Sequence, residues 1–398
     1  MDNQRLQQNS YIGHRISFAC LVLCGILALI LGVQPKLPSS VTQLLRPAFI
    51  AICLLTLHLG GYYKLGAAKY QLLNLAYFTI IFFIFPIHSN AIMTYVSILL
   101  FILFFIFAAN RKWSRKEIAL ILLAVVIACD IQALLILYSN PGLLRIGGSS
   151  HLDFLGVTVN RNPVAFAITP GTLCGMFVFL YGGNRKSVFS KLFYLMSCLV
   201  CSFAVFALGC RSAFLSAAAG LTCIVWQKTR DGVNYKEIFN RRVFAIMIIL
   251  LVVFTAYKVS AGTYSERLFD FSDASDDSGR DVLWEEAWNC IDENPVFGNG
   301  FGYWEESGHE MGTHNTFLTF MVSTGWVGGI LLGWFLLMSL IEILKTRNLI
   351  PLSFMAELLL HSWTEPLMDY YAYVPLILAF ILARYLQHKS NDLRTIFA

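Results

Sequence analysis

His314 sits in the run Gly312-Thr-His-Asn-Thr-Phe-Leu318, where Thr313 or Asn315 can cap the apolar helix that follows. An imidazole at a helix N-terminus tends to stay neutral, and a neutral imidazole can take a proton from a hydroxyl. It can equally serve as a plain hydrogen-bonding group at an interface. Arg211 lies between two apolar runs, 192–210 and 212–226, with almost no loop between them. That holds a guanidinium at or just below a membrane surface, where charged groups have a function or a fixed partner. Arg161, in Val159-Asn-Arg-Asn-Pro163 ahead of another apolar run, is a similar case, and Arg280 opens a short amphipathic stretch. Guanidinium groups keep their charge and offer a planar fork matched to phosphate oxygens. The set therefore points to an anionic ligand beside a proton acceptor. His309, among Glu305, Glu306 and Glu310, reads as a solvated side chain.

The elements that must position these residues are membrane spans. The chain is 57% hydrophobic and only 13% charged, and apolar runs recur along it, which predicts an all-α polytopic integral membrane protein. Twelve spans are expected, at 17–32, 47–63, 71–87, 92–109, 118–138, 163–181, 192–208, 212–226, 243–257, 316–343, 350–361 and 371–385. This divides the chain into nine spans over 1–260, one long outer loop over 261–313, and three spans over 314–398. The first apolar stretch lacks a small-residue cleavage site and is expected to stay as an anchor.

Lys and Arg are retained on the cytoplasmic side during insertion. With twelve spans both termini share a side, and the loops and tails of that side hold 21 of the 29 basic residues. The long loop then faces outward. The eight outward bases are Lys36, Arg46, Arg145, Arg161, Arg211, Lys258, Arg267 and Arg280, six of them arginine where insertion should deplete bases. An anionic ligand at the outer surface explains them; alternatively Arg46 and Arg145 snorkel at span ends and Arg267 pairs with loop carboxylates.

The outer loop is acidic, with thirteen of the 24 carboxylic residues between Glu266 and Glu310. Its first part, 270–279, is rich in Asp and Ser and reads as flexible. The next part, 281–291, spaces Val282, Trp284 or Glu285, Trp288 and Ile291 near a helical period, which predicts a short amphipathic helix on the membrane surface, with Ser278 able to cap it. Glu293-Asn-Pro-Val-Phe-Gly-Asn-Gly-Phe-Gly302 follows. Its proline ends the helix, and Gly298, Gly300 and Gly302 allow a tight loop that either brings amides to a ligand or is only a compact turn. Glu365 and Asp369, in the last outward turn, are candidate partners for the arginines or solvated carboxylates.

The ten cysteines lie mostly inside spans, where they behave as small apolar residues. Only Cys210 and Cys290 reach positions where a bridge can form, and no framework spacing supports one. No zinc-type Cys/His cluster and no phosphate-loop or dinucleotide glycine pattern is present, and nothing suggests nucleic acid as a partner. No cofactor or metal is expected. A secondary transporter remains the alternative class, although no internal repeat stands out and the polar residues gather at one face, not at mid-membrane.

Gly209-Cys-Arg-Ser-Ala213, Gly279-Arg280 with Trp284, Glu293-Asn-Pro-Val-Phe-Gly-Asn-Gly300, His314-Asn-Thr-Phe-Leu318 and Gly325-Trp-Val-Gly328 together resemble the O-antigen ligase and polymerase superfamily of bacterial envelopes. The motifs cover about the last half of the chain. The resemblance implies a metal-independent glycosyltransferase of the bacterial inner membrane, with its site facing the periplasm. Its donor would be an undecaprenyl-pyrophosphate-linked glycan and its acceptor the lipid A-core oligosaccharide or another lipid-linked glycan. It further implies that Arg211 and Arg280, with Arg161 as a third candidate, hold the pyrophosphate, and that His314 activates the acceptor hydroxyl. Asn315 and Gly300 would support them. A ligase is expected first and a polysaccharide polymerase second; a protein O-oligosaccharyltransferase fits less well, because the loop between Arg280 and His314 has no room for a protein-recognition domain.

Overall fold

The computed structural model describes residues 69–85, 111–144, 151–153, 158–182, 188–231, 280–309, 312–365 and 374–389, with a few single positions besides. The expected spans 17–32, 47–63 and 243–257, most of 92–109, and Ser278, Arg145, Arg267 and Asp369 lie outside the described residues. Within them ten helices follow one another: α1 (Lys69–Ile84), α2 (Arg115–Ser139), α3 (Arg161–Tyr181), α4 (Val188–Ala207), α5 (Arg211–Arg230), α6 (Arg280–Glu293), α7 (Tyr303–Glu306), α8 (Thr316–Leu344), α9 (Leu349–Ser362) and α10 (Val374–Lys389). Of these, α2, α3, α4 and α8 are long and apolar enough to cross a membrane. Eight of the expected spans coincide with described helices; α6 falls where the amphipathic stretch predicted one.

Among the described residues the elements are helical except for a hairpin that the sequence pattern does not announce. Strands β1 (His151–Asp153) and β2 (Thr158–Asn160) pair antiparallel with His151 opposite Asn160. Three residues per strand cannot hold a hairpin alone. Asn140, which closes α2, tethers it: Asp153 N–H donates to Asn140 Oδ1 at 2.8 Å, and Asn140 Nδ2 donates back to the Asp153 carbonyl.

α3 is the axis of the bundle, buried almost throughout and packed on α2, α4, α5 and α9. Small residues let the helices close up: a Cβ on Gly171 would stand 2.4 Å from Cys129, and one on Gly175 would meet the α4 backbone at 2.9 Å. With no hydrophobic drive between helices in lipid, such close approach supplies the packing energy. α5 and α9 run antiparallel, since Gln227 Oε1 accepts from Leu349 N–H at 2.9 Å near one end and Gly220 meets Ser353 in the middle. Arg211 therefore lies at the end of α9 that leads to Glu365. Lys228, Arg230, Lys345 and Arg347 lie at the opposite end, where Arg230 Nη1 donates to the Arg347 carbonyl at 3.4 Å.

The expected span 316–343 is helical on both sides of a single break. Gly325 has φ 64° and ψ −169°, which splits α8 into an outer piece, 316–324, and an inner piece, 326–344. At 1.5 Å per residue the inner piece is about 28 Å long, close to the roughly 30 Å of a hydrocarbon core. The outer piece has its own small core, formed by Leu318, Met321 and Val322 with Leu283, Ala287, Cys290 and Ile291 of α6 and Trp304 of α7. α6 packs against protein through Leu283, Ala287, Cys290 and Ile291, and leaves Val282 and Trp288 exposed.

The break is held by the glycine-rich loop that precedes α7. Asn299 N–H donates to the Val322 carbonyl at 2.9 Å and Gly300 N–H to the Ser323 carbonyl at 3.0 Å. In return Trp326 N–H donates to the Pro295 carbonyl at 2.7 Å and Val327 N–H to the Val296 carbonyl at 3.3 Å. Tyr77 of α1 donates its hydroxyl to the Thr324 carbonyl at 2.7 Å. The α8 groups engaged by the loop would have bonded to one another in an unbroken helix.

Candidate functional site

At one end of the bundle the N-termini of α3, α5 and α8 meet the C-terminal end of α9. Each helix start leaves backbone N–H groups without helical acceptors and carries partial positive charge, so the combined end favours anions. Arg161 and Arg211 are the first residues of α3 and α5, and Arg280 is the first residue of α6. All three side chains are half-buried.

Glu365, only 2% exposed, joins Arg280 to the imidazole. Its Oε1 accepts from Asn162 Nδ2 at 2.6 Å and from Arg280 Nη2 at 3.5 Å, while Oε2 lies 3.3 Å from His314 Nδ1. Asn162 comes from the first turn of α3, 203 positions away in sequence. A carboxylate can only accept, so the neutral tautomer that pairs with it has its proton on Nδ1 and its lone pair on Nε2. Cys210, next to Arg211, feels both Glu365 and Arg161 electrostatically. Arg280 and His314 are thus brought to one carboxylate, while Arg161 and Arg211 open two of the helices that start at the same end.

His314 itself is held in an unusual backbone state. Its φ is 50°, a left-handed value that few side chains other than Gly and Asn adopt. Strain of this kind persists only where surroundings enforce it. Trp284 Nε1 donates to the Thr313 carbonyl at 2.9 Å on one side, and on the other Thr316 Oγ1 donates to the Glu365 carbonyl at 2.7 Å. Asn315 is the N-cap of α8: its Oδ1 accepts from Phe317 and Leu318 N–H, and its Nδ2 donates to the Trp363 carbonyl at 3.3 Å. Of the two caps considered from the sequence, Asn315 performs the task, while Thr313 Oγ1 donates to the Asn315 carbonyl at 2.9 Å.

Other expectations resolve differently. The Gly300 amide is given to Ser323, so the glycine loop is a clamp on α8 and acts on the site from behind. His309 is not simply solvated: its ring stacks on Trp304 at 3.9 Å, and Nδ1 lies 3.3 Å from Glu286. Cys210 and Cys290 are both free. Burial raises both thiols above the usual range; Glu293 and Glu286 add to the effect at Cys290. Among the described residues no group of three or more His, Cys, Asp or Glu side chains gathers as a metal site. Asn162 and Asn299 do not stand out in the sequence. The first is a polar residue at a helix start beside Arg161; the second is a fully committed side chain, donating to Cys290 O at 2.7 Å and accepting from Asn294 at 2.6 Å.

The constellation offers fixed guanidinium groups for an anion and, beside them, an oriented imidazole with a free lone pair. Residues 195–333 match the model of the O-antigen ligase family, Wzy_C. The match takes in Arg211, Arg280 and His314, whereas Arg161, Asn162 and Glu365 come from outside it. No curated protein matches the chain significantly.

Proposed function

We propose, for a chain that carries an O-antigen ligase family domain over residues 195–333, a membrane glycosyltransferase that moves a glycan from undecaprenyl pyrophosphate to the lipid A-core oligosaccharide. The family comprises membrane-bound ligases and polymerases and implies lipid-linked glycan substrates. The observation that carries the reading is Glu365, bonded at once to Arg280 and to His314 Nδ1. One group thereby sets the distance between the anion site and the base.

In this reaction Arg211 and Arg280, with Arg161 beside them, hold the pyrophosphate. The acceptor hydroxyl oxygen bonds to the anomeric carbon as its proton passes to His314 Nε2. The anomeric carbon–oxygen bond to pyrophosphate breaks, and the departing oxygen takes the electron pair. Guanidinium groups already in position stabilise the charge that develops there, and Glu365 stabilises the imidazolium. Both reactants are amphiphiles, so a site at the periplasmic rim of the inner membrane lets their tails stay in lipid.

The test is the envelope glycan of a deletion strain. Full-length polymer stranded on its carrier supports the ligase; single repeat units on the lipid core indicate a polymerase; unchanged glycans refute both.

A further inference from the structure

α9 carries Glu357 and His361 four residues apart, on one face and about 6 Å apart along the axis, and Glu365 follows four residues later, just past its C-terminal end. The first two are 0% exposed. Both carboxylate oxygens of Glu357 and both ring nitrogens of His361 lack a hydrogen-bond partner. Four such atoms on successive turns of an apolar helix are a costly arrangement, and ionisable groups at this depth mark proton or ligand paths.

The surroundings are suited to water. The His361 ring stacks on Phe166 of α3 with centroids 4.3 Å apart and planes 15° from parallel. Pro170, four residues on, has no N–H to give the Phe166 carbonyl, so α3 has an acceptor there without its helical donor. Buried water occurs where two to four polar groups converge. One water between successive turns of α9 would bridge a gap of about 6 Å with two ordinary hydrogen bonds. Above, Glu365 N–H donates to the His361 carbonyl at 3.0 Å, and Arg280 acts electrostatically on His361. The unpartnered pair is thus continuous with the site.

We propose that Glu357 and His361 enclose internal water and hold one exchangeable proton, forming the inner end of a proton path that starts at His314 and Glu365. The last clause rests on the glycosyltransferase reading; the water-and-proton site does not. As His314 Nε2 takes the acceptor's proton, the Nδ1 proton passes to Glu365 Oε2 and onward through water to the pair, which carries it beside the proton already on Glu357. When products leave and bulk water enters, Nε2 releases its proton and the stored one returns to Nδ1. The path lets the imidazole shed charge while the site stays closed to water that would hydrolyse the donor.

Infrared spectra of the full-length protein in lipid nanodiscs test the site. The difference between wild type and Glu357→Gln should contain a protonated-carboxyl band that shifts in deuterium oxide, and Glu357→Asp should restore a band at a new position. No band, or one insensitive to deuterium, overturns the site. In transfer assays with a polyprenyl-pyrophosphate-linked glycan, Glu357→Gln should lower kcat about tenfold at unchanged KM, with Glu357→Asp recovering most of it. An unchanged kcat overturns the link to His314. His314→Ala should abolish transfer yet keep the Glu357 band; transfer surviving in that variant would refute the base role of His314 and the path from it, whereas no transfer by the wild-type protein would refute the glycosyltransferase reading alone.

Discussion

Replacing Glu365 with Gln probes the centre of the site with almost no change of shape. Glu365 accepts from three donors through two oxygens, and Gln keeps only one oxygen. If the amide oxygen stays with Asn162 and Arg280, the amide NH2 group faces His314 Nδ1 and selects the tautomer whose Nε2 is protonated, which cannot accept from the hydroxyl. If the amide turns round, NH2 faces Asn162 and Arg280, and the guanidinium loses its counter-charge. Either way one charge-assisted hydrogen bond is lost, worth about 2–3 kcal/mol. Glu365 is buried, so solvent does not soften the loss. At about 1.4 kcal/mol per decade this is roughly a 30- to 150-fold fall in kcat. The assay is transfer by purified protein at saturating donor, with insertion and donor binding measured separately. A kcat within twofold of wild type in a normally inserted Glu365→Gln protein would refute the orienting role.

Arg211→Lys should lose at least about tenfold in kcat/KM for the lipid-linked donor, because a point charge cannot reproduce a bidentate fork; wild-type transfer would exclude Arg211 from the pyrophosphate site. Activity should persist in excess chelator, since the arginines supply the charge neutralisation; a loss reversed by added magnesium would contradict this. Gly298→Ala should lower the thermal midpoint and transfer together: Gly298 has φ 74°, and a Cβ there would stand 2.4 Å from the Thr324 nitrogen. Normal stability in that variant would show that the clamp can relax. Cys290 should resist maleimide at neutral pH and react faster as pH rises, because burial and then Glu293 and Glu286 lift its thiol and leave little thiolate; rapid labelling at pH 7 would count against its packing between α6 and α8.

Helices were legible wherever apolar length alone dictates them. The runs that became α2, α3, α4 and α8 need no partner to be recognised, because lipid demands internally satisfied backbone. Arg211 and His314 are conspicuous for the opposite reason, since polar groups at the ends of apolar runs stand out, whereas Arg280, inside the acidic loop, is picked out by the family resemblance. What escaped is what depends on distant contacts. The role of Asn162 needs Glu365, and the short strands of the hairpin need Asn140. The break at Gly325 was invisible inside an unbroken apolar run, since its cause is a loop some 25 residues earlier. Glu357 and His361 lie within the expected span 350–361, where only the packing of α3 on α9 reveals that they stand without partners.

The exchange of backbone bonds between α8 and the glycine loop also sets an order of events during synthesis. Residues 295–300 leave the ribosome before 322–327, so the acceptors and donors they must engage do not yet exist when that loop emerges. Only once the following helix has formed can either segment complete its hydrogen bonding. Each is a template for the other, and a defect in the glycine loop is expected to surface as a failure of the helix downstream.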